Sequence, residues 1–208
     1  MMTVDVLRPP PEVWRRMSGW ISTLASNDAF MTRKLCRCHI GNLSLAAPQP
    51  RFCLTSKDVG LNGNVERAYM VGWRYLACAE GEAIAFAELA AEGPSAIGDD
   101  IVLSESPVVQ ATASVLESLK GGYDNGLRTH ALGILSVPSL HAEFIWLRHR
   151  RSAASRDRFI PVLLPNRGRL LQVLRLSELM KVLVDAKVEL RLEGTPALVG
   201  NLLKELPA

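Results

Sequence analysis

The sequence predicts an α+β domain: a mostly antiparallel sheet of about six to eight short strands with three or four helices packed on it. Three observations point there. Short apolar segments alternate with polar positions at period two, most of them are joined by hairpin-length turns, and a few longer segments repeat apolar residues at three and four. Strands that follow one another through hairpins exclude a series of strand-helix-strand units. With 208 residues, 48% of them hydrophobic, the chain supports a sizeable core and is read as one domain, 1–208, with a helical N-terminal segment (1–30) and a helical C-terminal segment (177–208).

Pro9, Pro10 and Pro11 open the first element, since proline is tolerated in the first helical turn, and Val13, Met17, Trp20, Ile21 and Leu24 then mark one helical face from about Pro11 to Ala25. Trp14 falls off that stripe. Cys36, Cys38 and Ile40 alternate with Arg37 and His39 as in a half-buried strand. Leu43 and Leu45 continue the pattern beyond Gly41, and Arg51 to Thr55 forms a second short strand behind Pro48 and Pro50. A hairpin follows, from about Arg67 to Cys78 and from Ala83 to Leu89, turning at Glu80-Gly81; its alanine-rich second arm suits a helix equally well. Ile101 to Leu103 is apolar. Ser106-Pro107 pairs a capping hydroxyl with proline at the first helical position, and the helix runs to about Lys120, where Gly121 and Gly122 stop it. A turn at Asp124-Asn125-Gly126 leads to a strand from about Leu127 to Ser136.

The distinctive stretch runs from Leu132 to Pro165, two strand-like runs around an arginine-rich insert. Leu140, Ala142, Phe144 and Trp146 give one apolar face, while His141 and Glu143 give way to Ile145 and Leu147 on the other. Arg158 to Leu164 is apolar on both faces, and its Pro161 requires an edge position or a bulge. Leu170 to Leu174 forms a further short strand. Ser177 caps a helix through Ala186, Lys187 to Leu192 alternates like a strand, and Thr195-Pro196 starts a final helix through Leu206.

No apolar run approaches the ~20 residues that span a bilayer, and the N-terminus lacks the apolar core of a secretory leader, so a cytoplasmic location is expected. Four cysteines without a CxxC pair read as reduced thiols. Cys36, Cys38, His39 and Cys53 were weighed as metal ligands, but a CxC on a strand turns both thiols to one face and the histidine to the other, so burial in the core is the better reading. His141 and Glu143 are the candidate catalytic pair, two residues apart on one strand face. No PCxxC accompanies them, nor is there a nucleophile elbow, a phosphate loop or a dinucleotide fingerprint, so no cofactor is expected.

Charge is sorted along the chain although the net value is only +3. From Ala79 to Leu119 stand Glu80, Glu82, Glu88, Glu92, Asp99, Asp100, Glu105 and Glu117 without a Lys or Arg; from Arg148 to Arg175 the single acid is Asp157. Arg148, His149, Arg150, Arg151, Arg156 and Arg158 therefore form the candidate contact for an anionic partner. A solvated turn is the plain alternative. A protein with an acidic surface, or a second copy of the chain, suits the arm better than nucleic acid, because the flanking aromatics Trp146 and Phe159 have core parity and the net charge is low. The expected function is thus non-catalytic binding or assembly, with a small enzyme using His141, Glu143 or a cysteine as the alternative.

Overall fold

The computed structural model describes residues 8–26, 43–60, 63–91, 97–121, 130–150, 154–164 and 172–193. Its elements follow in the order α1 (Pro11–Ser26), β1 (Leu43–Cys53), β2 (Tyr69–Ala79), β3 (Glu82–Ala91), β4 (Ile97–Ser104), α2 (Pro107–Gly121), β5 (His130–Val137), β6 (Ala142–His149), β7 (Arg158–Leu163) and α3 (Leu176–Glu193). The strands form one seven-stranded sheet, β4-β3-β2-β1-β5-β6-β7. Every neighbouring pair is antiparallel except β1 with β5, which is parallel over Arg51, Phe52 and Cys53 opposite Ile134, Leu135 and Ser136. The α+β class holds, with three helices among the described residues.

Strand parity decides what each helix covers. Val13, Met17 and Ile21 of α1 bury Trp73, Tyr75, Ala87 and Leu89, the odd-numbered side of β2 and β3. Leu179, Met180 and Leu183 of α3 lie on the same face of the sheet, over Phe52, Leu135, Phe144, Trp146 and Phe159. On the opposite face α2 sets Val108, Val115, Leu116 and Leu119 against Leu76, Phe86, Ile134, Ile145 and Ile160. The helix stripe from Val13 to Ile21 and the alternation of β6 from Ala142 to Leu147 are as the sequence implies.

The alanine-rich arm is a strand rather than a helix. Glu80 and Gly81 both have positive φ, 51° and 83°, the geometry of the two-residue turn that matches strand twist and returns the chain as a hairpin. Ala87 is fully buried under α1 and Ala85 is fully buried beside Ala77. Pro161 meets both of its expected conditions, since β7 ends the sheet order and the register shifts between Glu143 and Phe144 opposite it.

Three expectations are corrected. The separate segments at Leu43–Leu45 and Arg51–Thr55 are one strand, interrupted by a register shift between Ala46 and Gln49 where Ala47 takes φ 47°. Pro48 and Pro50 are tolerated there because β1 pairs with β5 only from Arg51 onward. Residues 187–192 are the last turns of α3, not a strand. Their alternation is real, but Leu183, Ala186 and Leu190 also continue a helical stripe and no breaker precedes Gly194. Of the expected strand at 170–174, Leu174 forms an isolated antiparallel bridge with Phe159, and residues 170–171 lie outside the described residues. The strand expected at Cys36–Ile40 and the final helix at 195–206 also lie outside them.

Candidate functional site

The tip of the β6–β7 hairpin is built around its one acid. Asp157 is 4% exposed and accepts two hydrogen bonds, from Trp146 Nε1–H at 2.7 Å and from the His149 backbone N–H at 2.7 Å. The carboxylate thus ties the return strand to the outgoing one. Before it, residues Ala154–Arg156 form a single 3-10 turn whose Ala154 carbonyl accepts the Asp157 N–H. Behind the tip, His130 of β5 faces His149 edge-on, with ring centroids 5.0 Å apart. His130 Nε2 lies 3.2 Å from the Arg156 carbonyl, an acceptor only, so that nitrogen carries a proton. Desolvation, then the neighbouring His130 and Arg156, holds His149 below the ordinary histidine range against the pull of Asp157.

The arginines of the tip divide by environment. Arg148 is half-buried, its guanidinium carbon 4.7 Å from the Phe52 ring centre and 4.6 Å from that of Trp146. Those two rings meet edge-to-face at 5.2 Å and form an aromatic corner beneath it. Arg158 Nη1–H donates to the carbonyls of Arg156 at 3.0 Å and Asp157 at 2.8 Å, so it braces the turn while keeping its charge. Arg150 and Arg156 are exposed, and Arg151 lies outside the described residues. Among the described residues no carboxylate is within ion-pair range of Arg148, Arg156 or Arg158.

A second constellation joins Glu143 to residues that the sequence reading did not select. Arg74, 5% exposed, binds Glu143 through both terminal nitrogens, with Nη2 to Oε2 at 2.9 Å, and Glu88 through Nε at 2.6 Å. Arg51 Nη1 bonds the other oxygen of Glu88 at 2.5 Å, and Ser136 Oγ donates to Glu143 at 3.3 Å. The set crosses β3, β2, β1, β5 and β6 on the face that α2 covers elsewhere. The Arg74 guanidinium also lies 4.1 Å over the Phe86 ring. Burial works to lower Arg74, but the hydrogen bond and charge of Glu143, with Glu88 behind them, outweigh it and raise the group; Arg51 is lowered, by burial first, with Glu88 opposing. A matched set of two cations and two anions spans the strands and engages both oxygens of Glu143.

His141 does not share that face with Glu143. It precedes β6, exposed, with a left-handed φ of 47°, and its N–H closes the 3-10 turn on Pro138 O at 3.1 Å. Positive φ turns it out of the strand alternation that would have aligned the two. Cys53 stands opposite Tyr69 and Ser136 in the registers, and Cys78 is buried in the core under α2. Cys36, Cys38 and His39 lie outside the described residues, and among the described ones no group of three His, Cys, Asp or Glu side chains is placed to hold a metal. Of the acids of the 79–119 block, Glu88 is in the ionic set and Glu82 contacts Gln110 at 3.4 Å, while the side chains of Glu92, Asp99 and Asp100 lie outside the described residues.

No known family, curated protein or solved structure matches this chain. The functional reading therefore rests on the geometry of the two constellations.

Proposed function

We propose that the protein is a non-catalytic binding module that uses its arginine hairpin tip to engage an acidic protein surface, either on another protein or on a second copy of this chain. One observation carries the reading: the guanidiniums of Arg148, Arg156 and Arg158 have no carboxylate partner among the described residues, while the one nearby acid, Asp157, is buried and engaged by neutral N–H donors. The register sets Arg158 beside Leu147 on the α2 face while Arg148 lies over Phe52 and Trp146 on the other, so this end of the sheet presents positive charge on both sides, which favours an anionic partner. The bracing of the 154–157 turn by Asp157 and Arg158 supports the same reading, because a turn already held loses less conformational entropy on binding. The enzyme reading is weakened by the full pairing of Glu143 with Arg74 and by the outward position of His141.

The test uses the full chain. Fluorescein-labelled poly-L-glutamate is titrated at rising salt and followed by anisotropy, and the mass is measured by light scattering at low salt. Substituting Arg148, Arg150, Arg151, Arg156 and Arg158 together by serine is expected to abolish capture of the polyanion, or to dissociate a self-assembled species, while the far-ultraviolet dichroism stays unchanged. Equal binding and equal mass for wild type and variant would overturn the proposal.

A further inference from the structure

We infer that Arg148 is the anchor of the tip, a pre-positioned receptor for a side-chain or chain-terminal carboxylate of the partner, and that the exposed arginines around it steer the encounter. The inference rests on the proposed function of the tip and assigns the ligand chemistry and the residue that reads it. Arg148 lies over a rigid aromatic floor. Phe52, 8% exposed, and Trp146, 2% exposed, form a fixed corner, and Trp146 is itself locked by its bond to Asp157 and by stacking on Phe159 at 5.9 Å. Even the backbone beneath is fitted to that floor, since a Cβ at Gly133 would approach the Phe52 ring at 3.2 Å.

A guanidinium resting over two aromatic rings is weakly hydrated and keeps its N–H groups around its rim, where a planar carboxylate accepts two of them side by side. Among the described residues no carboxylate takes those donors. Arg158 differs, because its Nη1 donates to two backbone carbonyls and no aromatic floor lies beneath it among the described residues. Exposed arginines contribute mainly long-range attraction, which salt screens. A carboxylate is favoured over a nucleic-acid phosphate for two reasons on the same surface. The aromatic corner is buried beneath the guanidinium and offers no ring face on which a base stacks, and a net charge of +3 gives a small footprint for a phosphate backbone.

The experiment measures fluorescein-labelled poly-L-glutamate, a single-stranded DNA 20-mer and a duplex 20-mer against wild type, Arg148→Lys, Arg148→Gln and Arg156→Ser, each between 50 and 300 mM salt. Lysine keeps the charge but not the planar fork. Arg148→Lys and Arg148→Gln are both expected to weaken poly-L-glutamate at least about ten-fold, with the lysine variant keeping the wild-type salt slope, whereas Arg156→Ser weakens it about two-fold and flattens the slope. If Arg148→Lys binds like wild type, or Arg156→Ser loses as much as Arg148→Gln, the anchor assignment fails while the tip remains a binding surface. If either DNA binds more tightly than poly-L-glutamate, the carboxylate assignment is overturned. If wild type binds none of the three at 50 mM salt, the underlying reading of the tip falls with it.

Discussion

Arg74 shows how much one side chain can carry in this sheet, because removing it leaves two acids facing each other across the strands. Arg74→Met is expected to cost about 3 kcal/mol in urea unfolding, since it strands the partly buried Glu143 and leaves Glu88 with Arg51 alone. Adding Glu143→Gln to that variant should recover most of the loss, since Glu88 keeps Arg51; a double variant no better than the single one would mean that packing of the arginine stem, not charge, dominates. Tyr75 offers the contrary case, a hydroxyl that is buried with no partner among the described residues. Burial pushes its phenol up to about 12. The folded value lies above the ordinary ~10, so the neutral phenol favours the fold, and this contribution is complete below pH ~10 and lost as pH rises from 10 toward 12. Tyr75→Phe should therefore change stability little at pH 7, within about 0.5 kcal/mol, and remove that share of the alkaline loss in a pH series of melting temperatures. At this scale the tip arginines were legible as a cluster in the sequence, whereas the partnership of Arg74 with Glu88 was not. Counting back from the Glu80-Gly81 turn sets Arg74 opposite Ala87, and only the bulge between Ala77 and Cys78 moves it to Glu88.

Elements whose signals are local followed the sequence closely. The α2 start is one: Ser106 Oγ accepts the Val108 N–H at 3.2 Å ahead of Pro107, and Ser106→Ala is expected to cost about 1 kcal/mol by chemical denaturation. The alternation of β6 from Ala142 to Leu147 and the hairpin return at Pro161 were equally readable, because each depends on residues within one turn of the chain, whereas His141 fell outside it. The fate of residues 187–192 was not, since a period-two and a helical pattern overlap there and the preceding helix simply continues. Another hidden feature lies in β2. Gly72 has φ +150° and an added Cβ would stand 2.1 Å from the Leu89 carbonyl oxygen on β3, so Gly72→Ala should destabilise by at least about 3 kcal/mol or prevent folding in a thermal melt. An unchanged melting temperature would show that the two strands can separate locally without cost.

The architecture of the whole molecule was legible in class but not in order. Hairpin-length connections announced antiparallel pairing, and nothing local announced that β1 would lie parallel to β5, because that contact joins segments separated by three strands and a helix. The sheet thus consists of two antiparallel meanders, β1–β4 and β5–β7, sewn along three residue pairs and extended by the Leu54 N–H to Ser136 O bond at 2.9 Å. Arg74 reaches over this join, from β2 across β1 and β5 to Glu143 on β6. Contacts so distant along the chain close slowly, so each meander is expected to assemble before the two unite. In stopped-flow refolding the final step should then be the one that Arg74→Met retards, while exchange of the Leu135 and Ser136 amides should gain protection last. Seen this way, the ionic row works as a latch, telling two finished halves of the protein how far to slide before they lock.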